Sequence, residues 1–168
     1  AVINSATIGS CGTGLLSLLK PDGTTLTSAG SVCGGTILTE TLPTTGTYRF
    51  IVNPSGANTG TVSVSLHQVI DESGLLPYGT TLSNVTLGTP GERGVWTFNG
   101  VAGERVSVVI NSTTVGSCGT GLLSLLNPNA TTLASTGSVC GGILLTNTLA
   151  TTGTYTFIVD PPGVNTGN

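Results

Sequence analysis

The residues of this chain that could most readily do chemistry are four cysteines in two pairs of equal spacing. Cys11 and Cys33 are separated by the same interval as Cys118 and Cys140. A zinc site would need closely spaced cysteines or additional histidines, and the chain has a single histidine, His67. Paired cysteines that recur at fixed spacing are instead typical of disulfides formed in an oxidising compartment. We therefore predict the structural disulfides Cys11–Cys33 and Cys118–Cys140, no metal site, no cofactor, and a secreted or cell-surface location.

His67 is also the one candidate for acid–base chemistry by an imidazole. Together with Asp71 and Ser63, which are close in the sequence, it could supply a nucleophile, a base and an orienting acid. Such a set normally places the nucleophile on a recognisable turn such as Gly-x-Ser-x-Gly, and Ser63 lies instead in the alternating run TVSVSL. We therefore expect a structural or linker histidine, no catalytic residues, and a chain that is not an enzyme.

The charge balance excludes a nucleic-acid-binding protein. Four Lys and Arg residues stand against seven Asp and Glu, which gives a net charge of -3 and too few cations for a phosphate-binding patch. Apolar runs such as Gly14–Leu19 are too short to span a bilayer, which needs about 20 residues in a helix. The neighbours Glu92-Arg93 and Glu104-Arg105 are expected to form ion pairs on the surface.

Trp96 and Phe98 are two residues apart in the run GVWTF, so they lie on one face of a strand. Such a pair could stack on a sugar, but a chain this poor in aromatic residues needs them for its core. The many threonines in TTLT, TILTET and TTGT could likewise bind ice or a carbohydrate, although threonine is also common on the outer face of a sheet. We expect core packing for both aromatic residues and keep an extracellular polymer or glycan ligand as the alternative.

A long internal repeat positions these residues. The stretch Val2–Gly60 recurs as Val109–Gly167 with a uniform offset of 107 residues, and most positions are identical. A period of this length is the size of a domain and too long for a solenoid repeat. Short apolar and threonine-rich runs alternate with Gly/Pro turns, which indicates β-strands. We predict an all-β fold of antiparallel β-sandwich modules, jelly-roll-like and in tandem, with about one and a half copies present.

The frame of the repeat predicts where each copy is incomplete. Residues 1–66 are predicted to be a truncated β-sandwich repeat that lacks its first strands, because Ala1 corresponds to Val108 inside an apolar run. Residues 67–83 lose the alternation and are assigned to a linker. Residues 84–168 are predicted to be a second repeat that lacks its last strand. Unpaired strand edges in such modules are expected to pair with neighbouring copies or chains.

Residues 21–23 (Pro-Asp-Gly) predict a hairpin with a three-residue loop and its glycine in the left-handed conformation. In that register Leu18 faces Leu26, and the two cysteines of each copy face each other, which is the basis of the predicted disulfide pairing. The second copy has Ala130 in place of the loop glycine, so its turn should be strained or of another type. After the hairpin, the alternating run Ile37–Leu42 predicts a further strand.

Three segments of the second copy resemble the bacterial pre-peptidase C-terminal domains: TLGTPGERGVWTFNGVAGERVSVVI, LLSLLNPNATTL and TLATTGTYTFIVDPPGVNTG. The resemblance covers nearly all of residues 84–168 and, as a truncated copy, residues 2–66. It implies a compact β-sandwich of jelly-roll type, as found on secreted peptidases and in large extracellular repeat proteins. Some members of the family bind calcium through clustered acids. In this chain Asp22 is replaced by Asn129 in the second copy, and the pair Asp71-Glu72 does not belong to a cluster of acids. We therefore do not assign the calcium site of the family to this chain.

The tandem copies, the low charge and the paired cysteines together favour a non-catalytic structural or adhesive module of an extracellular tandem-repeat protein. Open strand edges suggest self-association, for example as a surface fibre or filament in which strands of one chain complete another. The alternative is an ancillary substrate- or carbohydrate-binding module of a secreted hydrolase.

Overall fold

A computed structural model of the chain describes residues 1–115, 120–139 and 141–168. The described residues divide into two compact units, unit 1 (Ala1–Gln68) and unit 2 (Val69–Asn168). Both consist of β-strands joined by turns, with several antiparallel sheets and no helix in the described ranges. The predicted all-β fold class is therefore confirmed. We call two residues that lie 107 positions apart, one in each copy of the repeat, counterparts.

Unit 1 contains five short strands: β1 (Val2–Ala6), β2 (Leu15–Leu19), β3 (Thr25–Ala29), β4 (Arg49–Asn53) and β5 (Val62–Ser65). β1 pairs with β5, while β2 lies between β3 and β4, and all of these neighbours are antiparallel. Branched and aromatic residues between Gly- and Pro-containing turns favour extended backbone in each case. The result is two small sheets, each with one apolar side to cover.

The apolar sides of the two sheets in unit 1 contribute to one buried cluster. Ile3 of β1 and Leu16 of β2 are almost completely buried, and Val32 and Leu38 from the connecting loops join them. Phe50 of β4 packs against this cluster but is only half-buried. The core of unit 1 is therefore well covered near β1 and incompletely covered near β4.

The turn between β2 and β3 has the predicted three-residue loop. The N–H of Gly23 donates to the carbonyl of Lys20 (2.9 Å), and the N–H of Lys20 donates to the carbonyl of Thr24 (2.8 Å). Gly23 has a φ of +84°, in the left-handed region. The hydroxyl and N–H of Thr24 donate to the Asp22 carboxylate (2.7 and 2.8 Å) and lower the pKa of that exposed group. Each residue type has the conformation that the turn requires, which is why the sequence predicted it.

The predicted register of the β2–β3 hairpin is wrong by one residue. Leu18 pairs with Thr27 and not with Leu26, because a β-bulge at Leu26 interrupts the ladder. A bulge inserts one extra residue into one strand, so every pair beyond it shifts by one position. The second copy has the same irregularity at Leu133, the counterpart of Leu26. The bulge is therefore a property of the repeated sequence.

The predicted strand Ile37–Leu42 does not form in unit 1. Its first residue makes an isolated bridge to Val2, and no ladder follows. The corresponding segment of unit 2 is a full strand, Ile143–Thr148, because it pairs along the whole of Arg105–Ile110. Unit 1 has only the end of that partner strand, so most of the run finds no backbone groups to pair with.

Unit 2 contains seven strands in the described ranges: β6 (Glu72–Leu75), β7 (Gly94–Gly100), β8 (Arg105–Ile110), β9 (Leu122–Leu126), β10 (Thr132–Thr136), β11 (Ile143–Thr148) and β12 (Gly153–Asp160). They form a five-stranded sheet in the order β10–β9–β12–β7–β6 and a two-stranded sheet of β11 and β8. β6 runs parallel to β7, which departs from the predicted antiparallel arrangement, and the other neighbours are antiparallel.

The segment 67–83, predicted to be a linker, contains strand β6. Residues Glu72–Leu75 pair along the edge of β7 and belong to unit 2, while the boundary between the units follows Gln68. All four residues of β6 are exposed, so the strand has no buried side and its sequence shows no alternation. This is the physical reason why the strand could not be recognised from the sequence.

The core of unit 2 is built on aromatic pairs between β7 and β12. Phe98 lies opposite Tyr155 and Trp96 lies opposite Phe157, with ring centroids 5.6 and 6.2 Å apart. Stacked aromatic pairs contribute about 0.5–1.5 kcal/mol each beyond the burial of their surface. All four rings are buried, which confirms the prediction that Trp96 and Phe98 pack in a core.

The hairpin turn of unit 2 keeps the geometry of its counterpart although it has alanine where unit 1 has glycine. Ala130 has a φ of +63°, and its N–H donates to the carbonyl of Asn127 (2.9 Å) just as Gly23 donates to Lys20. For a residue with a side chain, the left-handed region brings Cβ too close to the following carbonyl oxygen. The turn type is therefore unchanged, and the predicted strain lies at Ala130.

Replacing Ala130 with Gly should stabilise unit 2 by about 1 kcal/mol, because glycine has no Cβ to strain in this conformation. The measurement is chemical unfolding followed by the fluorescence of Trp96, the single tryptophan of the chain, which reports on unit 2. The matched variant Gly23→Ala introduces the same strain in unit 1 and should leave the Trp96 transition in place. An unchanged midpoint for Ala130→Gly would show that this turn is not strained.

Candidate functional site

Cys11 and Cys33, predicted to be bonded, are brought together in unit 1. Their sulfur atoms lie at disulfide distance, and their Cα atoms are 5.2 Å apart, within the usual range for a disulfide. The N–H of Gly12 and the hydroxyl of Ser31 donate hydrogen bonds to the Cys33 sulfur (2.9 and 3.1 Å). Cys11 precedes β2 and Cys33 follows β3, so both cysteines are positioned by loops and do not belong to the β2–β3 ladder. The second predicted pair, Cys118–Cys140, lies outside the described residues.

The residues considered for acid–base chemistry do not form a set. The Nε2 atom of His67 is hydrogen-bonded to the hydroxyl of Ser65 (2.9 Å) and not to Ser63. Asp71 belongs to unit 2, where its carboxylate accepts hydrogen bonds from Arg93. A catalytic imidazole needs an orienting carboxylate on one nitrogen and a nucleophile on the other, and these residues do not supply that arrangement.

Arg93 holds Asp71 through three hydrogen bonds. Its Nη2 and Nε donate to Oδ2 of Asp71 (2.5 and 3.1 Å), and its backbone N–H donates to Oδ1 (3.1 Å). Partial burial opposes ionisation of Asp71, but the hydrogen bonds and the charge of Arg93 outweigh it and lower the pKa of the carboxyl. Because Asp71 directly precedes β6 and Arg93 directly precedes β7, the pair ties the two strands together where they begin.

Asp160, at the end of β12, is the acid whose pKa is shifted upward. Burial raises the pKa of its carboxyl, the charge of Arg93 lowers it, and the charge of Asp71 raises it again. A raised carboxyl pKa can mark a functional acid. The counterpart of Asp160 is Asn53, however, so the repeat tolerates a neutral amide at this position. The shift therefore reflects burial at a strand end and not a role shared by the two copies.

The predicted ion pairs Glu92-Arg93 and Glu104-Arg105 are not formed. Each glutamate closes a turn instead: the first accepts a hydrogen bond from the N–H of Thr89 (2.8 Å) and the second from the N–H of Val101 (2.9 Å). Adjacent residues of an extended chain point to opposite sides, which separates each glutamate from the arginine that follows it. These acids hold the backbone in shape on either side of β7.

Within the parts of the chain that the structure describes, no three His, Cys, Asp or Glu side chains are grouped so that they could hold a metal ion. No helix in the same ranges has the length and apolar character needed to cross a membrane. The further candidates for a functional site are two incompletely covered apolar surfaces, one in each unit.

Strand β4 of unit 1, a unit described in full, has a free edge. It pairs with β2 on one side only, whereas its counterpart β12 lies between β9 and β7. Leu42 is 54% exposed and its counterpart Leu149 only 1%, while Tyr48 is half-buried and its counterpart Tyr155 completely buried. We call the surface formed by Leu42, Tyr48, Phe50 and the free edge of β4 the open face of unit 1.

Strand β7 covers the corresponding residues in unit 2. The ring of Phe98 stacks on Tyr155, and Gly100 packs so closely against Leu149 that an added Cβ would overlap the leucine side chain. In unit 1, which is described in full, no strand pairs with the outer edge of β4 in this way. The open face of unit 1 therefore has the composition and the free backbone edge to accept a strand similar to β7.

A groove of about 940 Å³ opens in unit 2 beside β8. It is lined by the buried aromatic residues Trp96, Phe98 and Phe157, by residues 106–115 and by the loop 76–85. Its volume lies in the range of roughly 300–1,000 Å³ that is typical of ligand sites, and buried aromatic residues are typical of their linings. We call it the unit 2 groove.

Strand β5 occupies the equivalent place in unit 1. β5 pairs with β1 so that Val64 lies opposite Ile3. The counterpart of Ile3 is Ile110, which lines the unit 2 groove. Among the described strands of unit 2, none pairs with the segment after Ile110 in the way that β5 pairs with β1. The unit 2 groove is thus lined by counterparts of the residues that pair with β5 in unit 1.

Comparison with known proteins gives no match: no protein-family model, no curated protein and no solved structure is significantly similar to the chain.

The sequence predicted unpaired edges, but it did not predict the open face or the groove. The signal that could have found them is the repeat itself. Aligning the copies shows which residues, such as Leu42 and Leu149, have a covering strand in one copy and lack it in the other.

Replacing Asp71 with Asn should lower the free energy of unfolding of unit 2 by up to about 1 kcal/mol at pH 7, because it removes an ionic hydrogen-bonded partner of Arg93. The pKa of Asp71 is lowered in the folded state, so its contribution is present above the unfolded pKa of about 4 and is lost as the pH falls through the folded value. The difference between wild type and variant, measured by Trp96 fluorescence in denaturant, should shrink below about pH 4.

Glu72→Gln is the control for this prediction, since Glu72 is the next acid in the chain and is exposed. Glu72→Gln should leave the midpoint of unfolding of unit 2 unchanged at pH 7 and at pH 3. Hydrogen exchange of the β6 amides should accelerate in Asp71→Asn and not in Glu72→Gln. A stability difference of the same size at pH 3 and pH 7 would argue against the ionic contribution.

Proposed function

We propose that this chain is a non-catalytic structural or adhesive module of an extracellular tandem-repeat protein, and that its copies associate through open strand edges into a fibre or filament. The observation that carries the proposal is the free edge of β4 in unit 1, which lies on the same surface as the exposed side chain of Leu42 and the half-buried Tyr48 and Phe50.

A free strand edge beside an apolar surface favours the addition of a strand. Each added backbone hydrogen bond contributes about 0.5–1.5 kcal/mol net, and each Å² of buried apolar surface contributes about 25 cal/mol. Leu42, Tyr48 and Phe50 would gain the burial that their counterparts already have in unit 2. The backbone hydrogen bonds and the buried apolar surface both favour binding of the added strand. The open face should therefore prefer an extended segment with apolar residues at alternate positions.

The cysteine pair supports a location outside the cell. Disulfides persist in oxidising compartments and are rare where glutathione keeps thiols reduced. A cross-link between Cys11 and Cys33, 22 residues apart, contributes about 3 kcal/mol in the chain-entropy account. Such a contribution matters for a unit with few fully buried residues. The low content of charged residues, 7%, also allows copies to pack closely without strong repulsion.

The interactions of the ionisable side chains support a non-catalytic role. Asp71 is paired with Arg93, and Glu92 and Glu104 each accept a hydrogen bond from a turn. His67 contacts a serine two residues before it. These groups maintain the backbone and are not directed together into a common cleft.

The resemblance to pre-peptidase C-terminal domains is compatible with this role and with that of an ancillary substrate- or carbohydrate-binding module of a secreted hydrolase. The second role has less support. Trp96 and Phe98, the aromatic pair that would be expected to stack on a sugar, are buried in the core of unit 2.

The oxidised chain should self-associate as its concentration rises, as measured by sedimentation velocity and by electron microscopy of the associated fraction. Leu42→Lys should weaken association by about tenfold or more, because an added strand would strip water from the new charge. Thr41→Lys introduces the same charge at the preceding exposed residue and serves as the matched control. A chain that stays monomeric at every concentration, or equal effects of the two substitutions, would count against the proposed function.

A further inference from the structure

Unit 2 contains three Asn-x-Thr triads, the pattern in which an enzyme can attach an oligosaccharide to the asparagine of a surface loop in a secreted protein. They begin at Asn84, Asn111 and Asn129, and the middle residue is not proline in any of them. In a chain so rich in threonine such triads also arise by chance. What distinguishes them is how the folded chain holds each asparagine and its threonine.

Asn129 lies at the tip of the β9–β10 hairpin, where all three residues of its triad are exposed. The hydroxyl and the N–H of Thr131 donate hydrogen bonds to Oδ1 of Asn129 (2.6 and 3.1 Å). In the triad at Asn111 the threonine hydroxyl has another role, because Thr113 accepts a hydrogen bond from the N–H of Val115 (3.0 Å). Asn129 is thus presented at an exposed tip with its amide oxygen already bonded to its own threonine.

We propose that Asn129 is the preferred acceptor on this chain for an N-linked oligosaccharide. In the reaction, Nδ2 forms a bond to C1 of the first sugar, the bond from C1 to the diphosphate of a lipid-linked oligosaccharide donor breaks, and Nδ2 loses a proton. Negative charge develops on Oδ1 as the proton leaves, and hydrogen bonds to a charged acceptor are roughly twice as strong as neutral ones. The two bonds from Thr131 therefore favour the form of the amide in which the nitrogen can react.

The folded hairpin can carry a glycan on Nδ2 without losing a hydrogen bond. The side chain of Asn129 uses Oδ1 for its bonds to Thr131, and within the described residues Nδ2 has no partner to lose. The turn is closed by the backbone, since the N–H of Asn127 donates to the carbonyl of Thr131 (2.8 Å) and the N–H of Ala130 to the carbonyl of Asn127 (2.9 Å). The glycan replaces one of the two hydrogens on Nδ2 and leaves all of these bonds in place.

Unit 1 has the same turn with a carboxylate in place of the amide. Asp22 is the counterpart of Asn129, and the hydroxyl and N–H of Thr24 donate to its Oδ1 (2.7 and 2.8 Å). A carboxylate has no nitrogen that could be glycosylated, so the hairpin of unit 1 cannot be an acceptor. The chain therefore contains a matched pair of turns, in which the single substitution Asp22→Asn completes the triad in unit 1.

The test is secretion of the full chain from a eukaryotic host that transfers oligosaccharides to Asn-x-Thr triads, followed by peptide mass mapping. We expect glycan on Asn129 at higher occupancy than on Asn84 or Asn111. It should be lost in Asn129→Gln and in Thr131→Ala and retained in Thr131→Ser, which keeps a hydroxyl donor. An unmodified Asn129, or an occupancy at Asn84 or Asn111 that equals or exceeds it, would overturn the inference.

Asp22→Asn should add a second glycan, at position 22, with an occupancy close to that of Asn129. The control combines Asp22→Asn with Thr24→Ala, which removes the hydroxyl, and should leave position 22 unmodified. If Asp22→Asn stays unmodified while Asn129 is occupied, the turn geometry is not what makes the acceptor, and the inference is overturned.

Unfolding of unit 2 tests whether its folded state accommodates the glycan. The glycosylated chain, and the same chain produced with synthesis of the oligosaccharide donor blocked, should unfold at the same denaturant concentration in the Trp96 signal. A lower midpoint for the glycosylated chain would overturn the inference, because it would show that the glycan disturbs the hairpin.

The inference rests on the extracellular location in the proposed function and not on self-association, so sedimentation of the same secreted samples separates the two. A chain that associates but carries no glycan on Asn129 overturns this inference and leaves the proposed association intact. A chain that carries the glycan but stays monomeric at every concentration supports this inference and counts against the proposed association.

Discussion

The pairing of strand edges is the constraint on which both units depend. A strand is stable when its backbone groups have partners and its apolar side is covered. In unit 2, β12 meets both conditions because it lies between β9 and β7. In unit 1, the closely similar strand β4 has a partner on one side only, and Phe50 stays half-buried where its counterpart Phe157 is buried. The open surfaces of the protein are consequences of this difference.

The two copies place nearly the same sequence in two environments, and the environment decides the outcome. Residues 144–148 form most of β11 where β8 lies beside them, whereas their counterparts 37–41 make a single bridge. Leu149 is buried under β7, while Leu42 is exposed. Local sequence supplies the tendency to be extended, and a neighbouring strand determines whether a ladder forms and whether its apolar side is covered.

Features set by a few adjacent residues could be predicted from the sequence, and features set by a distant strand could not. The loop at Gly23 and the strain at Ala130 follow from residue type, and the burial of Trp96 follows from its spacing and rarity. The bulge at Leu26 leaves no mark on the alternation, and β6 shows none because it is exposed on both sides. The open face was missed because the covering of Leu42 depends on a strand outside its own segment, as the burial of its counterpart Leu149 under β7 shows.

Hydrogen exchange of the backbone amides of β4, measured over a range of chain concentrations, tests strand addition at the open face of unit 1 most directly. The account predicts that the β4 amides not bonded to β2 become protected as chains associate, while the amides of β9, already paired on both sides, exchange at the same rate throughout. Exchange at these β4 amides that stays fast in fully associated samples would contradict it.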